Sequence, residues 1–253
     1  MGYHPAMQIS PPFGYKEIVP LNRNQKVRLL APGEVPAFAR GINSLPISYT
    51  EFGVVAREYP IVFASLPGTP ATYAPVAVLG MGADENLYDA GGTWASGVYV
   101  PAYARRFPFC MARVQFDKVE QQNRLICVEK SHLDESAGEA LFDAKGQPGE
   151  KWKEIERLLR EYEADLERSR EMCGILADYN LIEPFTMQAK LNRGGGPLAM
   201  TGIHRVAESR IEHLNASQLK NLVKKGILSR VYAHLLSLDN FAKLLDRKAA
   251  KAA

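Results

Sequence analysis

The segment spanning residues 89–109 holds the densest group of side chains that could bind a ligand. It contains aromatic and cationic residues close together, namely Trp94, Tyr99, Tyr103, Arg105 and Arg106. A guanidinium group binds a carboxylate through two parallel hydrogen bonds, and aromatic faces stack on flat or cationic groups. These residue types therefore predict a site for a carboxylate, a peptide terminus or a sugar.

The local sequence of this segment predicts a loop followed by a short helix. Its glycines favour a tight turn or a mobile loop. Pro101 suits the first turn of a helix, and Pro108 ends that helix by about Phe107. In the alternative interpretation the aromatic residues belong to the core, and the arginines pair with acidic residues on the surface.

A second group of residues has the pattern of a metal site. His132 and Asp134, with His204 further along the chain, match the His-x-Asp…His triad of non-haem iron oxygenases. Arg210 would then hold the distal carboxylate of 2-oxoglutarate. However, His132 and Asp134 lie in a polar stretch where both residue types are common in turns. We therefore predict no metal and no cofactor, and keep the oxygenase as an alternative.

No other motif predicts an enzyme. The sequence has no Gly-x-Ser-x-Gly elbow, which acyl transfer in one large hydrolase class requires. Gly80 and Gly82 lack the third glycine of a dinucleotide fingerprint, and no Lys-Ser/Thr pair follows the glycines at 194–196. The sequence thus favours a binding protein over an enzyme.

Composition limits the possible partners and compartments. The chain has 253 residues, 46% of them hydrophobic and 23% charged, which is typical of a globular domain. A net charge of +3 gives no reason to expect a nucleic-acid partner. The three cysteines form no Cys-x-x-Cys pair, and no signal-peptide pattern is present, so we predict a cytoplasmic protein.

Residues 15–145 have the composition of a β-rich region. They are rich in β-branched and aromatic residues that occur in short apolar runs, a pattern that favours strands. The predicted strands cover residues 61–65, 74–81, 110–116 and 125–129. The last two are predicted to form an antiparallel hairpin with a longer loop.

Residues 149–247 are predicted to be mainly helical. From Trp152 to Leu176, apolar residues recur at helical spacing and predict one long amphipathic helix. Three ion pairs are predicted on it: Glu154–Arg157, Glu156–Arg160 and Asp165–Arg168. Asn215 and Gln218 predict a capping box at the start of the next helix, and Gly226 its end.

These elements predict an α+β fold. An antiparallel β-rich N-terminal half packs against a C-terminal helical half, and no long linker divides the chain, so residues 1–253 are expected to form a single domain. Residues 1–14 are expected to be an extended arm and residues 248–253 a frayed tail.

Several stretches of the sequence resemble the SapC family of bacterial proteins, and the likeness runs from about residue 15 to residue 245. The residues that carry it are 59–63 (Tyr-Pro-Ile-Val-Phe), 76–80 (Val-Ala-Val-Leu-Gly), 86–88 (Asn-Leu-Tyr), Trp94, 99–103 (Tyr-Val-Pro-Ala-Tyr), 105–109 (Arg-Arg-Phe-Pro-Phe), 138–142 (Gly-Glu-Ala-Leu-Phe), Gly226 and 232–237 (Tyr-Ala-His-Leu-Leu-Ser).

The resemblance implies a link to bacterial surface layers and, through the family name, to peptide transport. Similar proteins occur beside outer-membrane nutrient-uptake systems. A membrane permease of peptide importers shares the name, but this sequence has no apolar stretch of about 18 residues that could span a membrane. The resemblance supplies no catalytic residues.

Residues and resemblance together predict a non-enzymatic binding or accessory protein of bacterial surface or nutrient-uptake systems. Its ligand would be peptide-like or saccharide-like, or its partner a protein, bound by the aromatic and cationic side chains of residues 94–106. Two alternatives stay open: the iron oxygenase and a structural component of a surface layer.

Overall fold

A computed structural model of the chain describes residues 7–68, 72–116, 119–120, 124–190 and 197–251. The strands in these ranges are numbered in chain order: β1 Met7–Ile9, β2 Ile18–Pro20, β3 Lys26–Val27, β4 Ser44–Pro46, β5 Ile61–Leu66, β6 Thr72–Val78, β7 Phe109–Ala112, β8 Val114–Phe116, β9 Val119–Glu120, β10 Leu125–Glu129, β11 Glu139–Ala140, β12 Ile182–Lys190 and β13 Pro197–Val206.

The helices complete the secondary structure of the described ranges. The α-helices are α1 Phe52–Val55, α2 Ala102–Arg105, α3 Glu150–Asp178, α4 Ala216–Lys224, α5 Ile227–Ser237 and α6 Asn240–Lys251. Four 3-10 helices cover Ala37–Gly41, Tyr49–Glu51, Lys130–His132 and Glu208–His213. The long helix predicted from residue 149 is confirmed as α3.

The strands form antiparallel sheets, as the sequence predicts. The largest has five strands in the order β12, β13, β5, β6, β4. A second has the order β2, β10, β7, and it includes the predicted hairpin, with Leu125 opposite Ala112 and Val128 opposite Phe109. Two smaller sheets have the orders β1, β8, β9 and β11, β3. The chain therefore has an α+β fold.

One hydrophobic core joins the five-stranded sheet to the helices. Ile61, Val62 and Phe63 of β5 are fully buried and pack in the same cluster as Leu176 of α3 and Leu244 of α6. Because both faces of β5 are covered, its sequence is a continuous apolar run rather than an alternating one. The single-domain organisation of residues 1–253 stays a prediction from the sequence.

A buried histidine ties α5 to two strands. The Nδ1–H group of His234 donates a hydrogen bond to the Ile61 carbonyl oxygen at 2.8 Å, and its Nε2 atom accepts one from the Val206 amide at 3.1 Å. The Ser237 hydroxyl, one turn later, accepts a hydrogen bond from the Ile61 amide at 2.9 Å. Helix α5 therefore satisfies strand groups that the sheet leaves unpaired.

Two strands lie where the sequence analysis predicted no strand. In β12, Phe185, Met187 and Ala189 alternate with exposed residues, which is the period of a strand. Pro184 weakens that signal, but β12 is an edge strand, where proline is tolerated. The glycine-rich stretch 192–196 lies outside the described residues.

The chain ends differ from the expected arm and frayed tail. Residues Met7–Ile9 form β1, which pairs with β8. Helix α6 continues to Lys251, because Lys248 pairs with Glu85 at 2.7 Å and Lys251 donates to the Asn86 carbonyl oxygen at 3.1 Å. Cationic side chains near the end of a helix thus hold the last turns onto the body of the protein.

The predicted start and end of α4 are both confirmed. The Asn215 side chain accepts a hydrogen bond from the Gln218 amide at 2.9 Å, and the Gln218 side chain accepts one from the Asn215 amide at 3.0 Å. Gly226 follows with a φ of 70°, in the left-handed region. A Cβ atom there would lie 2.8 Å from the Tyr49 hydroxyl oxygen.

Gly226→Ala should therefore lower the free energy of unfolding by about 1–2 kcal/mol, the cost of a left-handed residue with a side chain, or more if Tyr49 cannot move. Chemical denaturation measures this change. Gly53→Ala is the control, since Gly53 lies in α1 with open space around it, and it should be neutral or slightly stabilising. Equal effects of the two substitutions would contradict the account of Gly226.

Candidate functional site

Trp94 is part of the core rather than of an open surface. Its side chain is 6% exposed, and its indole Nε1–H donates a hydrogen bond to the Tyr59 hydroxyl oxygen at 2.7 Å. The Tyr59 hydroxyl in turn donates to the Tyr99 carbonyl oxygen at 2.6 Å. Trp94 thus fixes the path of the loop that leads to α2.

A buried carboxylate anchors the start of α2. The Glu51 Oε1 atom accepts hydrogen bonds from the Ala102 amide at 2.6 Å and from the Tyr99 hydroxyl at 3.1 Å. Its Oε2 atom accepts two from Ser48 at 2.8 Å, and the one from the Ser48 amide belongs to a capping box. Burial, together with the negative charge of Glu51, raises the pKa of Tyr99 to about 12. Tyr99 therefore stays a neutral donor to Glu51.

Arg105 is exposed and held in one orientation by its own segment. Its Nε–H donates to the Val100 carbonyl oxygen at 3.0 Å, and one terminal nitrogen donates to the Tyr99 hydroxyl oxygen at 2.8 Å. The guanidinium also lies 5.2 Å from the centre of the Tyr99 ring. Arg105 is thus linked through Tyr99 to the buried Glu51.

Arg106, the next residue, is buried and surrounded by tyrosines. Its guanidinium carbon lies 4.2, 4.8 and 5.6 Å from the ring centres of Tyr103, Tyr162 and Tyr15. Glu163 of α3 is 3.7 Å away, and only 3% of the Arg106 side chain is exposed. Arg106 therefore joins α2 to α3.

Tyr103 also lies inside the protein and is 5% exposed. Its hydroxyl donates to the Phe13 carbonyl oxygen at 2.5 Å, and Tyr15 makes a similar bond to the Phe109 carbonyl oxygen at 2.6 Å. These two bonds tie residues 13–15 to α2 and β7. Of the predicted site residues, Arg105 is exposed and Tyr99 half-buried, whereas Trp94, Tyr103 and Arg106 are buried.

A cleft of about 170 Å³ lies beside these arginines, between α2, β7 and the first turns of α3. Six of its ten lining residues are apolar and four are charged. The lining residues are Leu29, Leu30, Arg105, Arg106, Phe107, Phe109, Lys151, Glu154, Ile155 and Leu158. The cleft therefore combines an apolar interior with both signs of charge.

The structure does not bring the predicted metal triad together. Among the described residues, no three His, Cys, Asp or Glu side chains are placed to hold a metal ion. His132 accepts a hydrogen bond from Arg28 and donates one to the Arg28 carbonyl oxygen, so both ring nitrogens are occupied. His204 lies on β13 of the five-stranded sheet, with its ring 5.0 Å from that of Tyr73, whereas His132 ends a 3-10 helix.

Asp134 closes a local turn. Its Oδ1 atom accepts hydrogen bonds from the Ser136 amide and hydroxyl and from the Ala137 amide, at 3.0, 2.7 and 2.9 Å. These bonds lower the pKa of Asp134. The local turn thus explains the geometry of this polar stretch. Arg210 donates a hydrogen bond to the Asn180 carbonyl oxygen at 2.9 Å.

The sequence analysis missed three residues of this region: Glu51, Lys151 and Glu154. Ser48 and Glu51 have the Ser-x-x-Glu spacing of a capping box ahead of an apolar stretch, so Glu51 could have been found. Lys151 and Glu154 carry no such signal, because their role depends on where α3 packs against α2.

The described residues form an α+β fold with antiparallel sheets. The pattern of the SapC family matches residues 22–244. The chain belongs to the SapC family. No curated protein and no solved structure matches it. In the part of the chain that the structure describes, no helix is long and apolar enough to cross a membrane.

Proposed function

We propose that the protein is a non-enzymatic binding protein that holds a small carboxylate ligand with apolar character in the cleft beside Arg105. The observation that carries this proposal is the pairing of an exposed, oriented guanidinium with apolar walls. Arg105 supplies hydrogen-bond donors for a carboxylate, while Leu29, Leu30 and Ile155 exclude water from one side of the bound group.

The size of the cleft favours a ligand of about one amino-acid residue. Pockets that enclose drug-sized molecules have volumes of roughly 300–1,000 Å³, whereas this cleft measures about 170 Å³. The saccharide alternative has less support, because Trp94 is buried and cannot stack on a sugar ring. A peptide-like carboxylate matches the size and the apolar lining better.

The connection to bacterial surface or nutrient-uptake systems follows from family membership and remains part of the proposal. A small, pre-oriented carboxylate site suits an accessory protein that holds a peptide-derived nutrient. In this proposal the protein binds its ligand and leaves it chemically unchanged.

Arg105→Ala should weaken binding of N-acetyl-L-leucine by roughly 10- to 100-fold, the range expected when a hydrogen bond to a charged group is lost, and leave the melting temperature nearly unchanged. Titration calorimetry or NMR measures the affinity. N-acetyl-L-leucinamide, which lacks the carboxylate, should bind weakly to the parent protein and to the variant alike.

Arg57→Ala is the matched control, since Arg57 is exposed and does not line the cleft. Arg105→Lys should recover only part of the affinity, because an ammonium group cannot make two parallel hydrogen bonds. Equal affinity of the parent and Arg105→Ala for N-acetyl-L-leucine, or no binding by the parent, would refute the proposal.

A further inference from the structure

Glu154 of α3 lines the cleft without an ion-pair partner of its own. Of the three pairs predicted on this helix, Glu156–Arg160 forms at 2.6 Å and Asp165–Arg168 at 3.4 Å. Glu154 makes no salt bridge and no side-chain hydrogen bond to another residue in the described ranges, although Arg157 follows at helical spacing. Its carboxylate is exposed at the edge of the cleft.

The cationic side chains of the cleft differ from one another in whether they have an ion-pair partner. Lys151, one turn before Glu154 on the same helix, is paired with Glu139. Arg106 is buried and paired with Glu163. Arg105 alone among the cleft's cations forms no salt bridge to another described residue, since its bonds go to the Val100 carbonyl and to Tyr99. Within the described part of the chain, one acid and one cation of the cleft therefore lack a salt bridge.

A ligand that satisfies both groups carries a carboxylate for Arg105 and an ammonium for Glu154. Both charges must fit within about 170 Å³ together with an apolar group that covers Leu29, Ile155 and Leu158. A free amino acid has this combination, because its two charged groups are attached to one carbon atom and its side chain points away from them.

We propose that the cleft binds a free zwitterionic amino acid with an apolar side chain, with Glu154 as the residue that selects the ammonium group. This inference rests on the proposed function and makes it specific. It also assigns Glu154 a role that can be tested separately from that of Arg105. An N-acylated amino acid satisfies Arg105 and leaves Glu154 without a partner.

The experiment compares L-leucine, N-acetyl-L-leucine and L-leucinamide on the parent protein, Glu154→Gln and Arg105→Ala. The parent should bind L-leucine several-fold more tightly than either derivative. Glu154→Gln should weaken the binding of L-leucine about 3- to 10-fold. This is somewhat above the range for an exposed ion pair, because the cleft is partly apolar. The same substitution should leave the affinity for N-acetyl-L-leucine unchanged or increase it. Arg105→Ala should weaken the binding of both ligands that carry a carboxylate, L-leucine and N-acetyl-L-leucine.

Glu161→Gln is the control, since Glu161 is an exposed acid of the same helix that does not line the cleft. The inference is overturned if Glu154→Gln binds L-leucine as the parent does, or if the parent prefers N-acetyl-L-leucine. In both cases Arg105-dependent binding of N-acetyl-L-leucine would still uphold the proposed function. Tighter binding of the dipeptide Leu-Leu than of L-leucine would also overturn it and assign the cleft to a peptide.

Discussion

Arg106→Ala should lower the free energy of unfolding by about 2–5 kcal/mol, the range for truncating a large buried side chain to alanine. The change removes a guanidinium that is packed among three tyrosine rings and paired with Glu163. It also leaves a cavity between α2 and α3. Urea denaturation measures the loss.

The control is the neighbouring residue. Arg105→Ala removes the same number of atoms from an exposed side chain and should change the free energy of unfolding by less than about 1 kcal/mol. Because Glu163 keeps Arg124 as a partner, Arg106→Met should recover part of the loss by filling the cavity. Equal effects of the two alanine substitutions would contradict the division into a buried, structural Arg106 and an exposed Arg105.

Acidification should destabilise the protein through His234 well before most carboxylates titrate. Burial lowers the pKa of His234 to about 4 in the folded state, whereas an unfolded chain has a histidine pKa of about 6.5. Between these values the unfolded state binds a proton that the folded state does not, so stability falls as pH falls. The expected loss between pH 6.5 and 5 is about 1.6 kcal/mol, because the slope is half of 1.36 kcal/mol per pH unit at the unfolded pKa and approaches the full value only below it.

The comparison of parent and His234→Gln isolates this effect. Glutamine can donate to the Ile61 carbonyl and accept from the Val206 amide but does not titrate, so the variant should show a flatter stability curve between pH 6.5 and 5. His213→Gln serves as the control, since His213 is exposed, and should retain the parent's curve. Parallel curves for the parent and His234→Gln would show that His234 does not titrate as described.

Local signals in the sequence were sufficient for most of the fold. The capping box of Asn215, the left-handed Gly226 and the helical period of α3 each depend on residues close together in the chain, and each is confirmed. Strands β12 and β13 were missed because Pro184 and the nearby glycines interrupt their alternating pattern. Their place in the sheet depends on pairing with β5, which is distant in sequence.

In the candidate site, too, nearby residues predicted some features, and contacts between distant segments determined the others. Residue types alone drew attention to Arg105 and Arg106, but they could not tell the exposed side chain from the buried one. That difference arises because Tyr15 and Tyr162, from distant parts of the chain, surround only Arg106. Glu154 was predicted only as an ion-pair partner of Arg157, because its place in the cleft depends on how distant segments pack.

The most direct test of the central claim is to map the binding of N-acetyl-L-leucine on the isotope-labelled protein by amide NMR. The account predicts that the largest shifts fall on the amides of the residues that line the cleft, namely 29, 30, 105–107, 109, 151, 154, 155 and 158, and that Arg105→Ala abolishes them at the same ligand concentration. Shifts that instead centre on another surface and survive in Arg105→Ala would contradict the claim that this cleft is the binding site.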